Sequence, residues 1–217
     1  MTDAIVVAGG ALPPSGAVLA LVVGRPLVVA ADSGVDHALA LGLPVDVVVG
    51  DLDSASPEAL AAARAAGTRF EVHPRDKDAT DLELALDVAR RDGARRVTVV
   101  GGGGGRHDHL LANALVLGTA DLGSVELDAL IGTASITVVR AERTLRGAPG
   151  SLCSLIPIGG PARGVRTDGL RFALHGEDLL PGSTRGVSNE LVADSAHVAV
   201  SQGVLLAVQP DALTEGA

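Results

Sequence analysis

The sequence has no tryptophan and no tyrosine, and its only aromatics are Phe70 and Phe172. Stacking platforms are therefore scarce, and the core has to be built from Ala, Val and Leu. A single cysteine, Cys153, excludes an internal disulfide framework and fits a reducing compartment. Positive charge is also short: 17 Lys and Arg stand against 26 Asp and Glu, a net charge of −9. With no basic run, the chain is not expected to bind nucleic acid or anionic membrane. Arg90-Arg91 and Arg95-Arg96 bracket a turn and read as solvated surface. The opening stretch MTDAIVVAGG has neither a basic region nor a long apolar core, so no signal peptide is expected. No apolar run reaches transmembrane length. Together these absences predict a cytoplasmic protein. Lysine is rarer still. Of the 17 basic residues 16 are arginine, and Lys77 is the one lysine.

What is present is an alternation. The 217 residues, 47% hydrophobic and 20% charged, suit one large domain or a medium and a small one. Up to about residue 140, short β-branched runs alternate with Ala/Leu-rich runs of helical period. Strands are expected at 4–9, 27–32, 45–51, 70–73, 96–102 and 125–131. Helices are expected at about 14–22, 34–42, 56–67, 80–93 and 108–121. Ser56-Pro57-Glu58 is a helix start with Ser as cap, and Thr80-Asp81-Leu82-Glu83 resembles a capping box. Apolar runs of this kind predict a mostly parallel sheet with helices on both faces. From about 142 to 217 the helical period is gone. Gly/Pro-rich text with short strand-like pieces (SLCSLIPI, GLRFAL, AHVAVS, GVLLAVQ) predicts a small all-β, sandwich-like domain.

In an open parallel sheet, ligands bind beyond the carboxyl ends of the strands. Asp32 ends the second strand, Asp51 and Asp53 the third, HPRDKDATD follows the fourth and GGGGGRHDH the fifth. A parallel sheet brings all four clusters to one edge. Asp51 and Asp53 are two apart, which in extended chain puts both on one side. Such carboxylates repel unless a cation joins them, and Mg²⁺ takes oxygen ligands. The plainer alternative is that Asp53-Ser54 turns the chain and caps the next helix. Asp78 and Asp81 flank a helix start, which favours carboxylates in any case. Lys77 is a point charge suited to phosphate. The glycines 101–105 let backbone amides approach a ligand and lead into Arg106 and a helix near Asp108. The run is neither a P-loop nor G-x-G-x-x-G. His107 and His109 point apart on a helix and are not a zinc pair. No nucleophile elbow is visible, and Cys153 has no base near it in sequence. A metal–nucleotide site is the reading that survives.

Four segments, ADSGVDHALALGLPVDVVVGDLDS, KDATDLELAL, GGGGGRHDHLLANALVL and GLRFAL…LLPGSTRGVSNEL, occur in the order and spacing of the thiamine pyrophosphokinases. The resemblance spans roughly residues 5–208. It implies an ATP/Mg-binding catalytic domain over 1–141, a thiamine-binding β domain over 142–217, and a homodimer with sites shared between subunits. It also implies transfer of the pyrophosphoryl group of ATP to the hydroxyl of thiamine. By resemblance, Asp51, Asp53, Asp81 and Asp108 are the catalytic carboxylates, and Asp51, Asp53 and Asp81 hold Mg²⁺. Asp32, Ser33, Lys77, Asp78, Gly103, Gly104, Gly105 and Arg106 bind ATP, while Phe172, Ser188 and Asn189 bind thiamine. The proton acceptor is Asp81 or Asp108. Two features depart from the family pattern: Ser33 stands where glycine is frequent, and Phe172 where a bulkier aromatic is common. Alternatives are a related diphosphokinase acting on a hydroxymethylpterin, and a non-catalytic nucleotide-binding regulatory module. GVSNE argues against the first and the complete acid set against the second.

Overall fold

A computed structural model of the chain describes residues 2–118 and 122–214. The chain forms two compact units, one of residues 1–113 and 120–132, the other of 114–119 and 133–217.

The first unit carries β1 (Thr2–Val7), β2 (Leu27–Ala31), β3 (Val47–Gly50), β4 (Arg69–Val72), β5 (Ala94–Val100) and β6 (Glu126–Ile131). They lie in the order β4-β3-β2-β1-β5-β6, and every pairing is parallel. Helices α1 (Ser15–Leu19), α2 (Gly34–Ala40), α3 (Pro57–Ala65), α4 (Asp81–Arg91) and α5 (His107–Gly118) follow strands in turn. The expected last positions of α5, 119–121, lie outside the described residues. Strand residues of one parity, Ile5, Val7, Val28, Ala30 and Val48, pack against α1, α2 and α3 through Val18, Ala38, Val35, Ala59 and Ala63. The other parity, including Val6, Val29 and Val49, is equally buried, and α4 contacts β1, β2, β3 and β5. Helices on both faces explain why these strands are apolar throughout.

Local chemistry sets the helix starts. Ser56 Oγ accepts from Ala59 N at 3.1 Å, with Pro57 opening α3. Thr80 Oγ1 accepts from Glu83 N at 3.3 Å, and α4 then buries Leu82, Ala85, Leu86 and Ala89 along one stripe. Arg90 and Arg91 close it, complementing its dipole. By contrast α1 has no side-chain cap and ends after five residues, short of the expected 14–22.

The second unit is all-β apart from its helical residues. It contains β7 (Ala134–Val139), β8 (Glu142–Arg146), β9 (Leu152–Asp168), β10 (His175–Leu179), β11 (Asn189–Glu190), β12 (Ser195–Ala199) and β13 (Gln202–Gln209). The first half of β9 pairs with β13, which also pairs with β7; its second half pairs with β10 and β12, and β12 with β8. Gly159 (φ 72°) and Gly160 (φ 158°) stand between the halves, so one long strand serves two layers. Leu155, Val165, Leu179, Leu191, Val198 and Leu205 fill the space between them.

The β character is as expected, but GLRFAL is not a strand. Gly169 turns the chain with φ 78°, Leu170 makes a lone bridge to Leu191, and Leu174 N donates to Thr167 Oγ1 instead of to a ladder. Four strands were not foreseen: β7, β8, β10 and β11. The expected boundary at 141 falls in the turn between β7 and β8, and β7 pairs within the second unit.

Candidate active site

β1 is the first strand, yet it sits between β2 and β5. The strand order reverses there, and the crevice beyond the carboxyl ends is the place for a ligand. A cavity of ≈ 410 Å³ opens at that point. Its walls are the turn after β1 (Ala8, Gly9, Gly10), Asp32 and Ser33 after β2, Lys77 before α4 and Asp81 at its start, Gly102–Gly104 after β5, and Arg106 and Asn113.

Acid groups gather at one side. A carboxylate oxygen from each of Asp32, Asp51 and Asp53 lies within 4.8 Å of the other two. The Asp51–Asp53 convergence has a different cause from the one expected. β3 ends at Gly50, and Leu52 has φ 65°, so the chain folds back rather than running extended. Asp32 also sits at positive φ, 46°. A bulky residue in this region is strained and is held there by its surroundings. Nor does Asp53-Ser54 cap the next helix: that role belongs to Ser56, itself held by Asp36 through Ser56 N at 3.1 Å.

The three acids differ electrically. Asp51 is held below the usual carboxylate range, first by the hydrogen bond from Asp53 N and further by Lys77, against its own desolvation. Asp32 is pushed upward, chiefly by burial, with the nearby Asp81 adding to it. Arg75 Nε lies 3.6 Å from Asp53 Oδ2. Lys77 Nζ stands 3.2 Å from both Asp51 Oδ2 and Asp81 Oδ1. Burial alone would lower Lys77, but the two carboxylates outweigh it and raise the amine. The Asp81 contact is an ion pair without hydrogen-bond geometry, so the buried Asp81 Oδ1 has no donor among the described residues. Asp81 thus stands across Lys77 from the three-acid group, rather than within it. Asp78 is exposed and does not line the cavity.

Arg106 grips Asp108 through two bonds, 3.2 Å from Nε and 2.6 Å from Nη2. That grip holds Asp108 at about 2 and raises Arg106. An acid held so low is a poor proton acceptor near neutral pH.

The glycine run closes the cavity with backbone. Gly102 N donates to Gly9 O at 2.7 Å, and Ala11 N to Gly103 O at 2.6 Å. A Cβ on Gly10, at φ 92°, would collide with the Gly103 carbonyl. Gly103 and Ala11 form an isolated antiparallel bridge, while among the described residues no backbone acceptor takes the amides of Gly104 or Gly105. Successive free amides form an anion-binding concavity. Gly9, Gly10, Arg75 and Asn113 were not foreseen. Gly9 and Gly10 follow β1 as the glycine run follows β5, and adjacency of those strands was the signal that would have found them.

The other expected residues belong to the second unit. Asn189 is buried, and its side chain is fully engaged: Oδ1 accepts from Phe172 N and Glu190 N, and Nδ2 donates to Phe172 O, each at 2.9 Å. Phe172 is 59% exposed, with the Arg171 guanidinium 5.5 Å from its ring centre. Ser188 has φ 58°, and its amide donates to Ser154 Oγ.

Fold and site define an α/β protein with an acidic, amide-lined pocket at the switch point of its sheet, joined to an all-β unit. Two family descriptions match it in order: "Thiamin pyrophosphokinase, catalytic domain" over residues 19–126, and "Thiamin pyrophosphokinase, vitamin B1 binding domain" over 136–205. The chain belongs to the thiamine pyrophosphokinase family. It is 30% identical to thiamine pyrophosphokinase 3 of Oryza sativa subsp. japonica, over 72% of this chain and 62% of that protein. It is 24% identical to the thiamine pyrophosphokinase of Bacillus subtilis (strain 168), over 82% and 84%. The match thus spans less than two thirds of the rice relative's length. Among solved structures, the Bacillus subtilis thiamine pyrophosphokinase superposes with a TM-score of 0.83 over 96% of this chain and 98% of that one, at 24% identity, a likeness of fold. The thiamin pyrophosphokinase of Geobacillus thermodenitrificans gives 0.78 over 96% and 97%, at 26% identity.

Proposed function

We propose that the chain transfers the pyrophosphoryl group of ATP to the hydroxyl of thiamine, yielding thiamine diphosphate and AMP. The observation that carries this is one crevice walled both by Asp32, a member of the close-set Asp32–Asp51–Asp53 group, and by the glycine backbone of Gly103 and Gly104. A match to a B1-binding domain beside the catalytic one favours thiamine over a pterin. The order of the two matches supports placing the chemistry in the first unit and thiamine recognition in the second.

Three carboxylates this close repel, and all-oxygen donors suit Mg²⁺, so Asp32, Asp51 and Asp53 would hold it. Bound there, Mg²⁺ would supply positive charge to neutralise the phosphates. Arg106 and the amides of Gly104 and Gly105 hold the phosphates, and Lys77 adds a mobile positive charge. The thiamine hydroxyl attacks the β-phosphorus in line; the new O–P bond forms as the bond to the AMP oxygen breaks. Its proton passes to Asp81, whose tie to Lys77 is a single 3.2 Å ion pair, rather than to Asp108, which Arg106 grips through two hydrogen bonds. Phe172 is the surface for the thiamine rings, and Ser188 precedes the Asn189 that clamps the Phe172 backbone. By family resemblance the working form is a cytoplasmic homodimer with sites shared between subunits. Among the described residues no helix is long and apolar enough to cross a membrane.

The test is incubation of the protein with ATP, Mg²⁺ and thiamine. AMP and thiamine diphosphate should appear in equal amounts, and neither without thiamine. ADP as product, or equal turnover with a hydroxymethylpterin, would overturn the assignment.

A further inference from the structure

The glycine run poses a physical problem. Gly101, Gly102, Gly104 and Gly105 all have positive φ, between 67° and 90°. Glycine peptides turn over easily, because no Cβ resists either orientation. A phosphate cradle built from them works only while the N–H groups face the ligand. If one peptide rotates, it presents a carbonyl oxygen, which repels phosphate. Something must therefore fix the peptide planes.

Asn113 does so from α5. Its Nδ2 donates to Gly102 O at 2.8 Å. The same residue's N–H is taken by Gly9 O at 2.7 Å. Gly102 is thus anchored at both its amide and its carbonyl, just ahead of the bridged Gly103 and the free amides of Gly104 and Gly105. The fit is close: a Cβ on Gly102 would lie 3.0 Å from Asn113 Nδ2. Asn113 is the single polar residue between His109 and Gly118 in LLANALVL, and it is part of the cavity wall. A side-chain amide facing a carbonyl is also unambiguous in orientation, since only its nitrogen can donate.

We infer that Asn113 is a positioning residue for the phosphates of the nucleotide. It acts by tying the Gly102 carbonyl to α5, so that the peptides after it cannot turn their oxygens into the pocket. The inference rests on the proposed reading of the crevice as the ATP site.

The experiment uses the full chain and two variants, Asn113→Leu and Asn113→Asp. Aspartate keeps the volume of asparagine and leucine its branching with somewhat more bulk, and neither can donate to the carbonyl. The first readout is binding of inorganic tripolyphosphate with Mg²⁺ by calorimetry, which requires no turnover. Loss of this partly buried hydrogen bond predicts about tenfold weaker binding in both variants. Asn113→Asp alone would fail through charge, so a silent Asn113→Leu overturns the inference. The second readout is hydrogen exchange at the amides of Gly102 and Ala11, the two that bridge the loops after β5 and β1. Exchange there should quicken about tenfold in both variants, while amides of β2, β3 and α4 stay as in wild type. Acceleration spread over the whole unit would mean a general packing role and overturn it. In the coupled reaction, the KM for ATP should rise and the KM for thiamine should not. If wild type binds tripolyphosphate but makes no thiamine diphosphate, the function fails while the Asn113 test still reads. If wild type makes thiamine diphosphate and both variants bind tripolyphosphate normally, the function stands and Asn113 falls.

Discussion

Lys77 Nζ lies 3.2 Å from Asp51 Oδ2, and the ammonium serves a carboxylate that also faces Asp32 and Asp53. Without metal, this lysine is the internal counter-ion of the site. It stands 3.2 Å from Asp81 as well, so its charge is shared between two elements, the turn after β3 and the start of α4.

Lys77→Met should therefore weaken the metal-free protein and tighten its hold on a divalent cation. Two partly buried carboxylates lose their partner; a loss of about 1 kcal/mol, or roughly 2–4 °C in Tm, is expected for a chain of this size. The pH dependence has a definite sign. Asp51 is depressed in the folded state, so the stability it contributes is present above the unfolded value of about 3.9 and is lost as pH falls through the folded one. The gap between wild type and Lys77→Met should thus be full at neutral pH and shrink in acid. Mg²⁺ titration in the absence of nucleotide should show a lower Kd for the variant. Arg75→Gln removes the same charge from an 83% exposed side chain and should do much less. Equal effects from both would mean that only net charge matters.

Asp32 runs the other way. Burial raises it, so its stability contribution is present below about 3.9 and lost as pH rises through the raised folded value. In EDTA at neutral pH, Asp32→Asn should melt higher than wild type, and the difference should close in acid. Asparagine tolerates the φ of 46°, so the backbone should survive. With Mg²⁺ present the order should reverse, because wild type alone gains from the ion. Scanning calorimetry with and without Mg²⁺ checks both halves. A variant that Mg²⁺ stabilises as strongly as wild type would remove Asp32 from the metal group.

Much of this site was readable beforehand, and the reason is periodicity. Continuous apolar runs announced a parallel sheet, and a parallel sheet gathers strand ends; Asp32, Asp51, Asp53 and Lys77 followed. Ser56 and Thr80 announced helix starts because capping depends on neighbours in sequence. What stayed hidden depends on neighbours in space. Asp32 joins Asp51 and Asp53 through a left-handed Leu52, which no alternation pattern encodes. Gly10 matters only because Gly103 lies against it, and Asn113 only because Gly102 O turns toward α5. GLRFAL has the composition of a strand, yet Gly169 and the bond from Leu174 N to Thr167 Oγ1 take it out of the ladder.

The crossing of the two glycine turns gives a graded prediction. Gly10→Ala puts a methyl into the Gly103 carbonyl at a φ of 92°, so both contact and conformation oppose it. Gly105→Ala meets nothing within 4 Å and carries only the conformational cost at φ 67°. The latter should cost about 1 kcal/mol and the former distinctly more. Denaturant unfolding measures both. A Gly10→Ala variant as stable as Gly105→Ala would show that the turns after β1 and β5 are not tightly seated.

In the second unit, Asn189 and Phe172 separate stability from recognition. Asn189 accepts from Phe172 N and donates to Phe172 O, a two-point clamp from a buried side chain onto the backbone of an exposed aromatic. Asn189→Asp keeps the acceptor but sets a second oxygen against the Phe172 carbonyl. Leaving these groups unsatisfied should cost about 1–3 kcal/mol. Phe172→Ala removes a ring that is 59% exposed and leaves the clamp intact, since the clamp holds only backbone atoms. Its stability should stay within about 0.5 kcal/mol of wild type. If the ring is the surface on which thiamine lies, this variant should still raise the KM for thiamine about tenfold, the loss of an aromatic contact worth roughly 1–1.5 kcal/mol. The KM for ATP should not move. The two variants thus predict opposite signatures: Asn189→Asp loses melting temperature and Phe172→Ala loses thiamine affinity alone. A Phe172→Ala protein with wild-type thiamine kinetics would show that the clamp rigidifies the loop for some other purpose.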